Sequence, residues 1–152
     1  MGLEGKVEEE FEINSPADKF YKRLSYELHH LPDASPDKVQ GAEIHEGDWV
    51  TPGSVKLWNY TIDGVQEVFK EKVEIDEENK TMTMVAVGGH ILEQYKAYKI
   101  VYQVFPKGES GTVKISLIYE KFKETDGEPH NYLRFVVDLF KDLDKHLTPK
   151  QG

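Results

Sequence analysis

The chain has 152 residues, of which 38% are hydrophobic, with no cysteine and a formal net charge of −9 at pH 7. A chain of this length can bury one core without staples, so we expect a single domain over residues 1–152. The lack of cysteine excludes disulfides, thiolate nucleophiles and thiolate metal sites, and it is typical of a reducing compartment. The acidic balance argues against a nucleic-acid partner, because phosphate backbones are bound by clustered Lys and Arg.

The sequence contains no apolar run long enough to span a bilayer and no apolar leader segment at its start. We therefore expect a cytoplasmic protein with no membrane span.

The first segment, residues 3–13, alternates apolar and polar side chains and predicts a half-buried strand. Glu9 falls in register with the apolar positions, so it is either a carboxylate inside the core or a residue at a sheet edge or bulge. The next residues predict a helix that begins with Ser15 as its cap and Pro16 at its first position.

Two short helices are expected after this start signal. The first runs through Phe20 and Leu24, and the second covers Tyr26 to Leu31. Pro32 and Pro36 are expected to close the region, because proline cannot continue a helix.

Six further strands follow with short connections, which predicts antiparallel pairing of neighbours. Asp63-Gly64 is a hairpin signal, and Gly88-Gly89 interrupts the chain. In the strand 65–75, Val68 lies opposite the other valines, so a bulge or a two-sided strand is predicted and the register stays open. The expected strands are 39–46, 54–62, 65–75, 81–87, 93–105 and 112–122.

The last element is a long amphipathic helix from Pro129 to Leu147, about 28 Å in length. Apolar residues recur at steps of three and four, with charged residues on the opposite face. Proline in the first turn favours the start, and Thr148-Pro149 marks the end. We expect the sheet to curl around this helix.

The inner face of the predicted sheet is rich in large side chains with polar tips, Tyr and Trp above all. Buried Tyr and Trp need partners for their O–H and N–H groups, so a tightly filled core usually prefers Leu, Ile and Val. Two interpretations stay open: the rings line a small-molecule pocket, or they fill the space against the long helix. Two methionines in one strand, Met82 and Met84, favour the pocket, because thioethers adapt to different ligands.

Catalytic and cofactor signatures are few. The histidines lack metal-ligand spacing, the loop 47–53 lacks the ending of a phosphate-binding loop, and no cofactor or metal is predicted. Acid–base chemistry by Lys, Glu and Tyr remains open, because it needs proximity rather than a motif.

Several short stretches, in order along the whole chain, resemble those of plant major latex proteins in the birch pollen allergen superfamily. The matching stretches are Met1 to Lys6, His45 to Trp49, Gly53-Ser54-Val55, Trp58-Asn59-Tyr60, Asp63-Gly64, Ile75 to Lys80 and Tyr119-Glu120-Lys121. The resemblance implies an α+β helix-grip fold. That fold has a seven-stranded antiparallel sheet wrapped around a long C-terminal helix, two short helices and an internal hydrophobic cavity.

The resemblance also implies which residues bind the ligand. The expected cavity wall consists of Trp58, Tyr60, Met82, Met84, Tyr98, Ile100, Tyr102, Ile115, Leu117, Phe135 and Leu139. Tyr21, Leu24 and His29 are expected near the entrance. The loop 48–52 departs from the glycine-rich loop of the related defence proteins, which weakens a nucleotide-binding or nuclease interpretation.

Three functions follow from the resemblance. The leading hypothesis is non-enzymatic binding, storage or transport of a hydrophobic or amphipathic small molecule, such as a lipid, steroid, hormone or specialised metabolite, in plant defence and stress. The alternative is a cofactor-free cyclase or isomerase acting on a reactive alkaloid or monoterpenoid intermediate. The third is a ligand-gated protein-interaction module, with the Gly88-Gly89-His90 turn as a gate. A protein partner is otherwise not indicated.

Overall fold

The computed structural model describes residues 3–148. Its elements in chain order are β1 (Glu4–Ile13), α1 (Ala17–Tyr26), a 3-10 turn (Leu28–His30), α2 (Leu31–Ala34), β2 (Val39–Glu46), β3 (Val55–Ile62), β4 (Val65–Asp76), β5 (Thr81–Gly89), α3 (Ile91–Gln94), β6 (Tyr95–Lys107), β7 (Ser110–Lys121) and α4 (His130–Leu147). No helix in this part of the chain is long and apolar enough to cross a membrane.

The seven strands form one antiparallel sheet in the order β1-β7-β6-β5-β4-β3-β2. Strands β2 to β7 follow each other as a meander, because each connection is short. Strand β1 joins at the far side, pairing with β7 from Glu4–Glu120 to Ile13–Gly111. The sheet and α4 enclose the apolar core. The predicted helix-grip architecture is confirmed.

The start of α1 differs from the sequence prediction. The helix begins at Ala17, Pro16 precedes it, and no side chain caps it. The Ser15 hydroxyl instead donates to Asp144 of α4, and the Ser15 backbone N–H donates to the same carboxylate at 2.8 Å. Ser15 was expected as the cap, and it fails to cap because a buried carboxylate from the far end of the chain competes for it.

The second short helix also differs from its prediction. Residues 26–31 do not form one helix, since a 3-10 turn precedes the α2 turn. Pro32 does not close the region but lies in the first turn of α2, where its missing N–H would be unpaired in any case.

The inward-facing residues of β4 alternate regularly, and the predicted bulge lies in its partner strand β5. Lys70 pairs with Gly88 and Glu71 with Ala86, which leaves one extra residue in β5. Gly89 follows with φ +104°, and a Cβ there would come within 2.3 Å of the Val68 carbonyl oxygen, so only glycine fits. The chain then turns into α3, which was not predicted.

The long helix α4 is confirmed, beginning one residue after Pro129. Its buried stripe includes Val136, Phe140 and Leu143. Pro149, expected to stop the helix, lies outside the described residues.

Candidate functional site

A cavity lies between α4 and the inner face of strands β2 to β6. The volume of this cavity is about 80 Å³. Helices α1, α2 and α3 contribute one residue each to its wall. The wall consists of Leu24, Leu31, Val39, Trp58, Tyr60, Phe69, Glu71, Met84, Ile91, Tyr98, Ile100, Tyr102, Tyr132, Phe135, Val136, Leu139 and Phe140.

Nine of the side chains predicted to bind a ligand come together in this wall. They share an inward-facing position on α1, the sheet or α4, and all but Phe135 are buried. They are Leu24, Trp58, Tyr60, Met84, Tyr98, Ile100, Tyr102, Phe135 and Leu139.

Five predicted side chains lie outside the wall. Ile115 and Leu117 are fully buried on β7, where α1 and α4 pack directly on that strand. Met82 is also fully buried, and its sulfur accepts the Tyr102 hydroxyl. Strands β1 and β7 therefore form the filled half of the core, while the cavity lies against the other strands.

The other two lie in the α1 segment and the turn that follows it. Tyr21 is buried away from the cavity, and its hydroxyl has no partner in the described part of the chain. His29 is exposed on the 3-10 turn, with its ring centroid 4.7 Å from that of Trp49. Neither side chain reaches the wall.

Sequence reasoning missed Glu71 as a wall residue. Glu71 lies between Phe69 and Val73 on the inner face of β4. Strict alternation along the strand is the sequence signal that could have identified it as inward-facing. Glu9, for which a core carboxylate and a sheet-edge position are the two alternatives, is exposed on the edge strand β1. Other wall residues, such as Tyr132 and Val136, belong to the predicted stripe of α4 but were not assigned to the site.

Two tyrosine hydroxyls from the cavity wall share one acceptor. Tyr60 and Tyr132 donate to the same oxygen of Glu67, at 2.8 and 2.9 Å, and Gln94 donates to the Tyr132 hydroxyl at 2.8 Å. Burial, and then the bond to Glu67, raises the pKa of Tyr60 far above its ordinary value, so this hydroxyl stays protonated. The network fixes both rings.

Glu71 and Lys56 are a buried pair of opposite charge on neighbouring strands. They are register partners of β4 and β3, and each is at most 1% exposed. The Trp58 indole N–H donates to Glu71 Oε1, and Lys56 Nζ donates to the Trp49 carbonyl oxygen at 3.2 Å. Burial raises the pKa of Glu71 to about 7 and lowers the pKa of Lys56. The cavity wall thus carries a carboxyl group that titrates near neutrality.

Comparison with known proteins gives a consistent result. A profile described as the pathogenesis-related protein Bet v 1 family matches residues 2–150. MLP-like protein 328 of Arabidopsis thaliana is 41% identical over 148 residues, which cover 97% of this chain and 98% of that protein. The crystal structure of ginseng major latex-like protein 151 from Panax ginseng superposes with a TM-score of 0.93 at 38% identity, covering 97% of this chain and 100% of that one.

A more distant structure shares the fold alone. Norcoclaurine synthase from Thalictrum flavum, in complex with dopamine and hydroxybenzaldehyde, is 23% identical with a TM-score of 0.73, covering 99% of this chain and 90% of that one.

Proposed function

This chain belongs to the pathogenesis-related protein Bet v 1 family, with relatives among the major latex-like proteins, and from that premise we propose that it binds a hydrophobic small molecule. The observation that carries the proposal is the cavity between α4 and the sheet. Protein interiors are normally close-packed, and an unfilled void forfeits the dispersion contacts of its lining. A cavity at the centre of an otherwise packed core therefore favours occupation by a ligand.

The chemistry of the wall supports an apolar ligand. Aliphatic and aromatic side chains form most of it, and the hydroxyls of Tyr60 and Tyr132 are committed to Glu67. Each Å² of apolar ligand surface removed from water contributes about 25 cal/mol. Binding by burial needs no cofactor and no reaction.

The test compares two matched substitutions one helical turn apart on α4. Leu139 is in the cavity wall, whereas Leu143 is fully buried outside it. We expect wild type to bind 2-methylnaphthalene saturably, with one site per chain, in equilibrium dialysis. Leu139→Phe fills the cavity and should weaken binding at least tenfold.

The matched control Leu143→Phe should keep the affinity of wild type. It overpacks a filled region and should lower the free energy of unfolding by about 1–3 kcal/mol. Leu139→Phe should cost less stability, since its ring enters empty space. Equal affinities of Leu139→Phe and wild type would place binding elsewhere, and no saturable binding by wild type would exclude the proposed function.

A second candidate function is a cofactor-free cyclase or isomerase in the same cavity. The observation that favours it is the buried carboxyl of Glu71 with a pKa of about 7, since an acid–base catalyst works best near the operating pH. An enzyme would convert a reactive precursor to a product ratio different from that of heat-denatured protein. Glu71→Gln would abolish that difference while preserving the fold. Unchanged product ratios would exclude this candidate.

A further inference from the structure

Glu71 is the charged residue of the cavity wall, and half of its carboxylate is unsatisfied. Its side chain is 0% exposed. Oε1 accepts the Trp58 indole N–H, but Oε2 has no hydrogen-bond partner within residues 3–148. A buried carboxylate oxygen without a donor is costly. Glu71 lines the cavity, and its Oε2 is an acceptor that the described protein groups leave free.

The neighbouring donor groups form hydrogen bonds with other acceptors. Lys56 lies directly opposite in register, yet its ammonium group binds the Trp49 carbonyl and lies 5.5 Å from the centre of the Trp49 ring. The Tyr102 hydroxyl donates to the Met82 sulfur and lies 3.3 Å from the Ser25 hydroxyl. No salt bridge joins Lys56 to Glu71 in the part of the chain that the structure covers.

We propose that Glu71 Oε2 is a ligand subsite that accepts a hydrogen bond from the hydroxyl group of an otherwise apolar ligand. The inference rests on the proposed function and narrows its ligand class to apolar molecules with a hydroxyl donor. A neutral hydroxyl fits better than an ammonium group, because Lys56 already supplies a positive charge beside Glu71. The rest of the wall offers little to solvate a second charge.

The test uses three naphthalene probes that differ in one substituent. The 2-naphthol probe carries a donor, 2-methoxynaphthalene carries only an acceptor, and 2-methylnaphthalene carries neither. Affinities are measured by equilibrium dialysis at about pH 8, where the Glu71 carboxyl with its pKa of about 7 is mostly ionised. We expect wild type to bind 2-naphthol at least tenfold more tightly than 2-methoxynaphthalene, as expected for a hydrogen bond to a charged acceptor.

The decisive variant is Glu71→Gln, which is isosteric. The carbonyl of its amide can still accept the Trp58 N–H, and the NH₂ group then takes the place of Oε2 as a donor. The preference for 2-naphthol over 2-methoxynaphthalene should therefore fall at least tenfold, with 2-methylnaphthalene little changed. Glu74→Gln, an exposed change on the same strand, is the matched control and should keep the preference of wild type.

The outcomes separate this inference from the proposed function. If all three probes bind saturably but Glu71→Gln keeps the preference of wild type, Oε2 is not a ligand subsite. If Glu71→Gln does not fold, the affinities of wild type for the three probes decide. Equal affinities for 2-naphthol and 2-methoxynaphthalene would contradict the proposal that Oε2 is a ligand subsite. If no probe binds wild type, the proposed function itself fails.

Discussion

At the scale of single residues, Glu71 makes stability depend on pH. Its pKa is about 7 in the folded protein against an ordinary value of 4.5. The folded state thus binds this proton more tightly than the unfolded chain does. The resulting stabilisation is fully present below pH 4.5 and is lost as the pH rises through 7, by about 3 kcal/mol in all.

Glu71→Gln removes this titration and should therefore gain stability relative to wild type as the pH rises. We expect the difference in the free energy of unfolding between the two to change by about 3 kcal/mol between roughly pH 4 and pH 8. Urea unfolding at several pH values measures it. The exposed Glu74→Gln change is the control and should follow wild type, whereas a pH-independent difference for Glu71→Gln would show that Glu71 titrates normally.

At the scale of elements, Asp144 of α4 holds the junction between β1 and α1. Its carboxylate accepts the backbone N–H groups of Asn14, at 2.9 Å, and Ser15, at 2.8 Å, besides the Ser15 hydroxyl. Asp144 is 6% exposed. Because these donors come from the turn between two elements, one carboxylate fixes the position of both relative to α4.

Asp144→Ala should lower the free energy of unfolding by about 3 kcal/mol, because it leaves the buried backbone N–H and hydroxyl of Ser15 without an acceptor. Hydrogen exchange should speed up first at the amides of Asn14 and Ser15. Asp138→Ala removes an exposed carboxylate from the same helix and should change stability by less than about 0.5 kcal/mol. Equal stability of the two variants would mean that the junction is held by apolar packing alone.

At the scale of the whole molecule, the cavity limits the size of the ligand. The cavity volume of about 80 Å³ is about half of the roughly 150 Å³ that accommodates benzene in an engineered protein cavity. A two-ring hydrocarbon therefore requires the wall to move outward, and a four-ring hydrocarbon requires a larger movement.

We therefore expect wild type to bind pyrene more weakly than 2-methylnaphthalene, although pyrene has more apolar surface. Leu139→Ala enlarges the cavity and should strengthen pyrene binding at least tenfold, at a cost of about 2–5 kcal/mol in stability. Leu143→Ala costs similar stability outside the wall and should leave pyrene binding unchanged. Tight pyrene binding by wild type would mean that the wall opens as readily for four rings as for two, and that cavity volume does not limit the ligand.

The sequence predicts the architecture better than the site for a physical reason. Alternation identifies the inner face of each strand, and Ile100 and Ile115 satisfy it equally. Only Ile100 lines the cavity, because α4 packs directly on β7 and leaves space above β6. Whether a helix fills or leaves the space above a strand depends on packing between distant elements, which no local pattern contains.

Local sequence patterns also failed to predict the positions of side chains that contact groups distant in the sequence. Ser15 has the sequence of a helix cap, but a carboxylate 129 residues away binds it. Glu71 lies in the alternating inner face of β4, yet a charge in a strand is ordinarily expected to face solvent. Both side chains are buried by contacts that form only in the finished fold.

The pairing of β1 with β7 constrains the order in which the chain can fold during translation. The meander β2 to β6 can pair as each strand leaves the ribosome, since every partner is adjacent in sequence. Strand β1 is synthesised before the other strands of the sheet, but its partner residues 111–120 follow about a hundred residues later. Strand β1 cannot pair before β7 is synthesised, because long-range pairing requires both segments. Strand β1 is therefore among the last strands of the sheet to pair, and the sheet is completed only after β7 has emerged.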